Sequence, residues 1–166
     1  RVDSYLFNPH KWWGITFDCT TMWVADRNPV TDALSIMPPY LRNEASDAGT
    51  VVDFRDWQVP LGRRFRSLKI WFVLRAIGVD AIAAMIRHHC AEADWLVDRV
   101  EESPDWDLAA PPCLNLVCAR HRDGSDATRR VAERLNDSGR ALVAVTEVDG
   151  AAVLRLSVGS ASVAHD

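Results

Sequence analysis

Residues 3–24 read DSYLFNPHKWWGITFDCTTMWV. Residues 2–7 and 15–24 are rich in β-branched and aromatic side chains and predict two strands, so the proline turn and Lys11 fall on a loop between them. Burying an ammonium against apolar surface is costly unless the charge is paired or lost. Placed between His10 and the Trp12-Trp13 pair, Lys11 is expected to be sealed and desolvated, which would favour its neutral amine and suit it to attack carbonyl compounds. The plainer reading of any single lysine after a turn is a solvated surface residue.

Downstream of this stretch, residues 26–53 are broken by Pro29, Pro38, Pro39 and Gly49 and predict a long connection with at most one helical turn, of the kind used as lids. From Arg63 the pattern becomes helical, and Gly78 divides it into RRFRSLKIWFVLRAIG and a second run from Val79 to about Ser103. In that run Ile82, Met85, Ile86, His89, Ala93, Leu96 and Val100 recur at steps of three and four and form one apolar stripe, which Pro104 ends. After Pro111 and Pro112, CLNLVCARH predicts a strand and SDATRRVAERLNDSG a helix closed by Gly139. ALVAVTEVDGAAVLRLSVG then predicts a hairpin turning at Asp149-Gly150. Strand, helix, strand, strand make a small α+β layer.

The 166 residues, 48% hydrophobic, are enough for a globular core. A net charge of -4 gives no global attraction to nucleic acid or an anionic membrane, and no stretch approaches the roughly 18 apolar residues of a membrane span. RRFRSLK could be a nucleic-acid patch, but basic residues opening an amphipathic helix are more often a solvated or salt-bridged face. Cys19, Cys90, Cys113 and Cys118 lack framework spacing and are expected as reduced thiols of a cytoplasmic protein. His88, His89 and Cys90 are consecutive on a helix and diverge, and Cys113 and Cys118 lack zinc-knuckle spacing, so no metal site is expected. Trp57, Trp71, Trp95 and Trp106 read as core or interface aromatics. The first residue is an Arg, and the last stretch, SASVAHD, ends where a serine cap would begin a helix, so an excerpt of a longer chain is expected.

The Lys11 stretch resembles the lysine motif of the pyridoxal-phosphate-dependent group II decarboxylases, the aromatic-L-amino-acid decarboxylase family. A second block, DFRDWQVPLGRRFRSLKIWFVLRAIGVDAI at residues 53–82, resembles the same family at the expected distance. The likeness is dense over roughly the first 90 residues and continues as phrases such as LVCARH and LRLSVGSAS. It implies an α/β fold, a piece of a fold-type-I (aspartate-aminotransferase-like) enzyme. Residues 1–68 would end the large cofactor-binding domain, and residues 69–166 would supply bridging helices and a small α+β C-terminal domain.

Carried over by position, the resemblance makes Lys11 the residue that holds pyridoxal 5'-phosphate as a Schiff base. Asn8 and His10 would help fix the cofactor and its phosphate, roles their hydrogen-bonding groups can fill. Tyr40, in MPPYLRNEASDAGTVVDFRDW, matches the tyrosine of a mobile catalytic loop that returns a proton after carbon dioxide leaves; relatives with phenylalanine there tend toward aldehyde formation. Gly62, in PLGRRFR, matches a glycine whose backbone approaches the cofactor phosphate of a partner subunit, and a glycine near here is associated with larger, indole substrates. The activity implied is decarboxylation of an aromatic L-amino acid (tryptophan, tyrosine or dihydroxyphenylalanine) by a homodimer with its site at the subunit interface. The acidic partner of the cofactor's ring nitrogen and the histidine stacked on the ring are not among these residues, so the chain alone is expected to be inactive. Two alternatives stay open: a branch acting on glutamate or cysteine sulfinate, and a non-catalytic oligomerisation module.

Overall fold

The computed structural model describes residues 1–36, 48 and 50–160. They fall into two compact units that divide between Ile77 and Gly78, each considered by itself.

In the first unit, β1 (Ser4–Phe7) and β2 (Thr21–Val24) pair antiparallel, with Ser4 opposite Val24 and Phe7 opposite Thr21. The connection between them is not only a loop, because Pro9 starts a four-residue helix, α1 (Pro9–Trp12). Proline suits that first position, where its missing N–H has no intrahelical partner to lose. The strand expected over residues 15–24 shortens to Thr21–Val24 because the backbone before it is bonded elsewhere. The carbonyls of Thr16, Phe17 and Asp18 accept hydrogen bonds from Lys69 and leave no ladder to build.

The connection after β2 holds more helix than its prolines suggested. The helix α2 (Asn28–Leu34) takes Pro29 in its first turn, where proline promotes a helix. A 3₁₀ turn (Phe54–Trp57) follows, with the Asp53 side chain accepting from the Arg55 N–H. The helix α3 (Ser67–Ile77) begins four residues later than Arg63, since Arg64 and Arg66 extend their side chains to Asp18 from non-helical backbone.

The second unit opens with α4 (Val79–Glu102), followed by β3 (Trp106–Leu108), β4 (Leu116–His121), α5 (Ser125–Ser138), β5 (Ala144–Val148) and β6 (Ala151–Ser157). The strands form one antiparallel sheet in the order β3-β4-β6-β5. Strand β3 was not expected from sequence; three residues carry too short an alternation to register. The hairpin turns at Asp149 and Gly150, both at positive φ (51° and 77°), the backbone a two-residue primed turn demands.

Val117 pairs with Leu156 and Ala119 with both Leu154 and Leu108, so these side chains share one face of the sheet. The α4 stripe lands on it, with Ala93, Leu96 and Val97 packed against Val117, Leu108, Leu156 and Val158. The stripe is buried at Ile82, His89, Ala93 and Val100, but Glu92 is buried as well, which the apolar pattern did not anticipate. His89 is 1% exposed and its Nε2 lies 3.0 Å from the Ser160 carbonyl, so the ring brings a polar atom into the interior already partnered. The small residues Ala127, Thr128 and Ala132 are the buried face of α5, and Gly139 closes that helix in the left-handed conformation, φ 71°.

Candidate active site

Lys11 stands on α1, one turn of helix fixed at both ends. The Lys11 N–H donates to the Asn8 carbonyl (3.0 Å) and the Trp13 N–H to the Pro9 carbonyl (3.1 Å), and Pro9 itself is buried. The turn is closed by its own backbone hydrogen bonds, while the Lys11 side chain is exposed. The two tryptophans do not seal it as expected. Residues one and two apart on a helical turn face different directions, and the Trp13 ring packs instead on Phe7, 5.0 Å between centroids.

Asn8 and Lys11 are three residues apart and so lie on the same side of the turn. The Thr20 hydroxyl donates to Asn8 Oδ1 at 2.6 Å, which commits the carbonyl end of that amide and directs its NH2 end elsewhere. His10 is half-buried, with Nδ1 within reach of both the carbonyl oxygen and the N–H (3.1 Å) of Cys19. Whichever tautomer the ring holds, it is pinned to that backbone, and the edge of Phe17 closes on it at 5.0 Å between centroids. Asn8, His10 and Lys11 thus belong to one short turn, with the His10 ring directed to the Cys19 backbone.

Gly62 is exposed, has no positive φ, and a side-chain carbon added there would meet nothing within 4 Å, so nothing in the described chain requires a glycine at this position. Tyr40 lies outside the described residues. Among the described residues no group of three or more His, Cys, Asp or Glu side chains is gathered as for a metal ion, and no helix is long and apolar enough to cross a membrane.

The RRFRSLK run finds its partner in Asp18, which sequence reasoning did not single out, and binds the segment of residues 16–18 just before Cys19. Asp18 Oδ2 accepts from Arg66 Nε (3.0 Å) and Nη2 (2.9 Å), and Oδ1 accepts from Arg64 Nη2 (3.0 Å). Chiefly through the Arg66 hydrogen bond, the Asp18 carboxyl is held down to about 2. Lys69 donates to the carbonyls of Thr16, Phe17 and Asp18 at 3.2, 3.0 and 3.3 Å. The basic run in RRFRSLK is therefore largely ion-paired and hydrogen-bonded within its own unit. A signal existed in the sequence: an aspartate within a β-rich apolar run is out of place as strand and calls for a cationic partner.

Both the β1–β2 ribbon with its lysine turn and the helix-covered antiparallel sheet have counterparts in known proteins. The structure superposes on the crystal structure of Oryza sativa TDC with PLP and tryptamine with a TM-score of 0.87 at 42% identity, covering 97% of this chain and 35% of that one. The fold class is thereby a mixed α/β piece of a fold-type-I enzyme. A model of the pyridoxal-dependent decarboxylase conserved domain matches residues 1–122, and the chain belongs to that family. Tryptophan decarboxylase 2 of Oryza sativa subsp. japonica is 40% identical over 167 residues, 96% of this chain and 34% of that protein. Phenylacetaldehyde synthase of Arabidopsis thaliana is 39% identical over 166 residues, again 96% and 34%. The likeness thus runs well past the first 90 residues, and the chain spans about a third of the length of the relatives it matches.

Proposed function

We propose that this chain supplies the covalent anchor and part of the binding site of a pyridoxal-phosphate-dependent decarboxylase that converts an aromatic L-amino acid to its amine and carbon dioxide. The observation that carries the proposal is an exposed primary amine, Lys11, on a hydrogen-bonded turn that also carries an amide and an imidazole. That donor set fits the cofactor: an amine can bond to its aldehyde, and the Asn8 NH2 and a His10 ring nitrogen can donate to its phosphate oxygens. When bound, the cofactor serves as the sink for the electrons left behind as carbon dioxide departs.

The chain's own residues would do the rest. Lys11 would hold the cofactor through its side-chain amine, and the pinning of His10 and Asn8 would keep the turn in register. Tyr40 would deliver the proton that completes the amine. Gly62 would let the backbone of one subunit approach the phosphate held by its partner in a homodimer, the role that its match in PLGRRFR implies. In the whole enzyme residues 1–68 would end the large domain and residues 69–166 would form the bridging helices and small domain. The β1–β2 ribbon supports the first of these assignments, since Tyr5, Leu6, Met22 and Trp23 leave both of its faces apolar and exposed, as suits strands buried inside a larger sheet. Four free thiols support a cytoplasmic setting. No membrane or nucleic-acid partner is assigned.

The relatives include both a decarboxylase and an aldehyde synthase at nearly equal identity, and product analysis separates the two. Expression of the complete reading frame with tryptophan, tyrosine, dihydroxyphenylalanine, phenylalanine and glutamate is expected to release carbon dioxide and amine from an aromatic substrate. Tyr40→Phe is expected to keep the cofactor while diverting or stopping amine release. Turnover of glutamate alone, or aldehyde from the unaltered enzyme, would contradict the proposal.

A further inference from the structure

The segment that meets the lysine turn through Cys19 is held by basic side chains for which the roles above have no use. Lys69 places its ammonium against the three successive carbonyls of Thr16, Phe17 and Asp18. An ammonium carries three donors, so donors and acceptors match one to one, and a compact point charge suits this cradle where a planar guanidinium does not. Arg64 and Arg66 together occupy both oxygens of Asp18. Cys19, the next residue, passes the constraint in two directions: its Sγ reaches the Arg66 carbonyl at 3.8 Å, and its backbone holds the ring of His10, the covalent neighbour of Lys11. A continuous series of contacts therefore runs from residues 64–69 through 16–19 to the Lys11 turn.

We infer that Lys69, together with Asp18 bound by Arg64 and Arg66, positions the Lys11 amine without touching the reacting atoms. The inference rests on the reading of Lys11 as the amine that bonds the cofactor. Magnitudes separate positioning from simple stabilisation. The Arg64 side chain is 73% exposed and that of Asp18 30%, and exposed ion pairs contribute little to stability. Reaction rates are far more sensitive, since a displacement of about 1 Å can cost roughly a hundredfold when two groups must meet in line.

The test uses the full-length protein, stripped of cofactor and then given pyridoxal 5'-phosphate. Attachment is followed by its visible absorbance and, after borohydride reduction of the imine to a stable amine, by peptide mapping of the tag at Lys11; thermal midpoints are recorded in parallel. Lys69→Met and Asp18→Asn are each expected to slow attachment about tenfold or more at temperatures where the protein is folded. Lys69→Arg, which keeps charge but not shape, is expected to recover less than half of that loss. Arg64→Gln leaves Arg66 on Asp18 and removes only an exposed side chain, so it reports even if the other variants fail to fold, with an expected slowing of roughly twofold to threefold. Attachment at the unaltered rate in the folded variants, or in Arg64→Gln alone if the others do not fold, would overturn the inference. A wild-type protein that takes no tag at Lys11 would instead overturn the reading on which the inference rests, and needs no variant to show it.

Discussion

The two units of this chain solve the problem of apolar surface differently. Residues 78–166 bury Ile82, Ala93, Val100, Val117, Ala119, Val153, Leu154 and Val158 within themselves, and that unit has a core of its own. Among the described residues of the first unit, only Pro9, Ile15 and Cys19 are buried. Tyr5, Leu6, Trp23, Phe65, Trp71 and Phe72 are all more than half exposed there. Apolar exposure on that scale is what strands and helices show when the elements that cover them belong to another part of a protein. The lesson is that the Lys11 turn sits in the unit that does not complete itself. An active site assembled from several segments needs its pieces to remain open until they join.

The strongest way to break this contrast is to separate the units. Residues 78–166 alone are expected to unfold cooperatively on heating, whereas residues 1–77 alone are expected to lack a cooperative transition and to bind a hydrophobic dye; circular dichroism and dye fluorescence read both. Equal cooperativity in the two pieces would remove the distinction. Single substitutions sharpen it. Val117→Ala, at a fully buried position, is expected to cost the 166-residue chain about 2 kcal/mol by denaturant titration. Trp71→Ala is expected to cost under about 0.5 kcal/mol in that chain, where the ring is exposed, but about 3 kcal/mol in the full-length protein, where it would be covered. Gly139→Ala, which puts a side chain at positive φ, is expected to cost about 1 kcal/mol.

The smallest effect is a titration. Arg66 holds the Asp18 carboxyl at about 2 in the folded chain against 3.8 for the ordinary group. A folded-state value below the unfolded one means that the carboxylate's contribution is fully present above about pH 4 and is lost as pH falls toward 2. The carboxyl carbon resonance of Asp18 should therefore move with a midpoint near 2, and a midpoint near 3.8 would show the clamp open in solution.

Much of the second unit could be read from sequence because its signals are local. The stripe on α4, the glycine closing α5 and the Asp149-Gly150 turn each state their backbone within a few residues. Strand β3 and the buried Glu92 were missed because each depends on what lies across from it, not on its own neighbours. In the first unit the motif around Lys11 was legible as a mark of the family, yet its geometry was not. Trp12 and Trp13 looked like a seal only when adjacency in sequence stood in for adjacency in space. The Asp18 clamp was hidden because Arg64, Arg66 and Lys69 are 46 to 51 residues away from it along the chain.

The central claim is that Lys11 is the amine to which the cofactor bonds. Reduction of the intact holoenzyme with borohydride, followed by proteolysis and mass spectrometry, should leave the pyridoxyl mass on the peptide containing Asn8 to Trp12, at Lys11 and nowhere else. A tag on Lys69, or on no lysine of this chain, would contradict it.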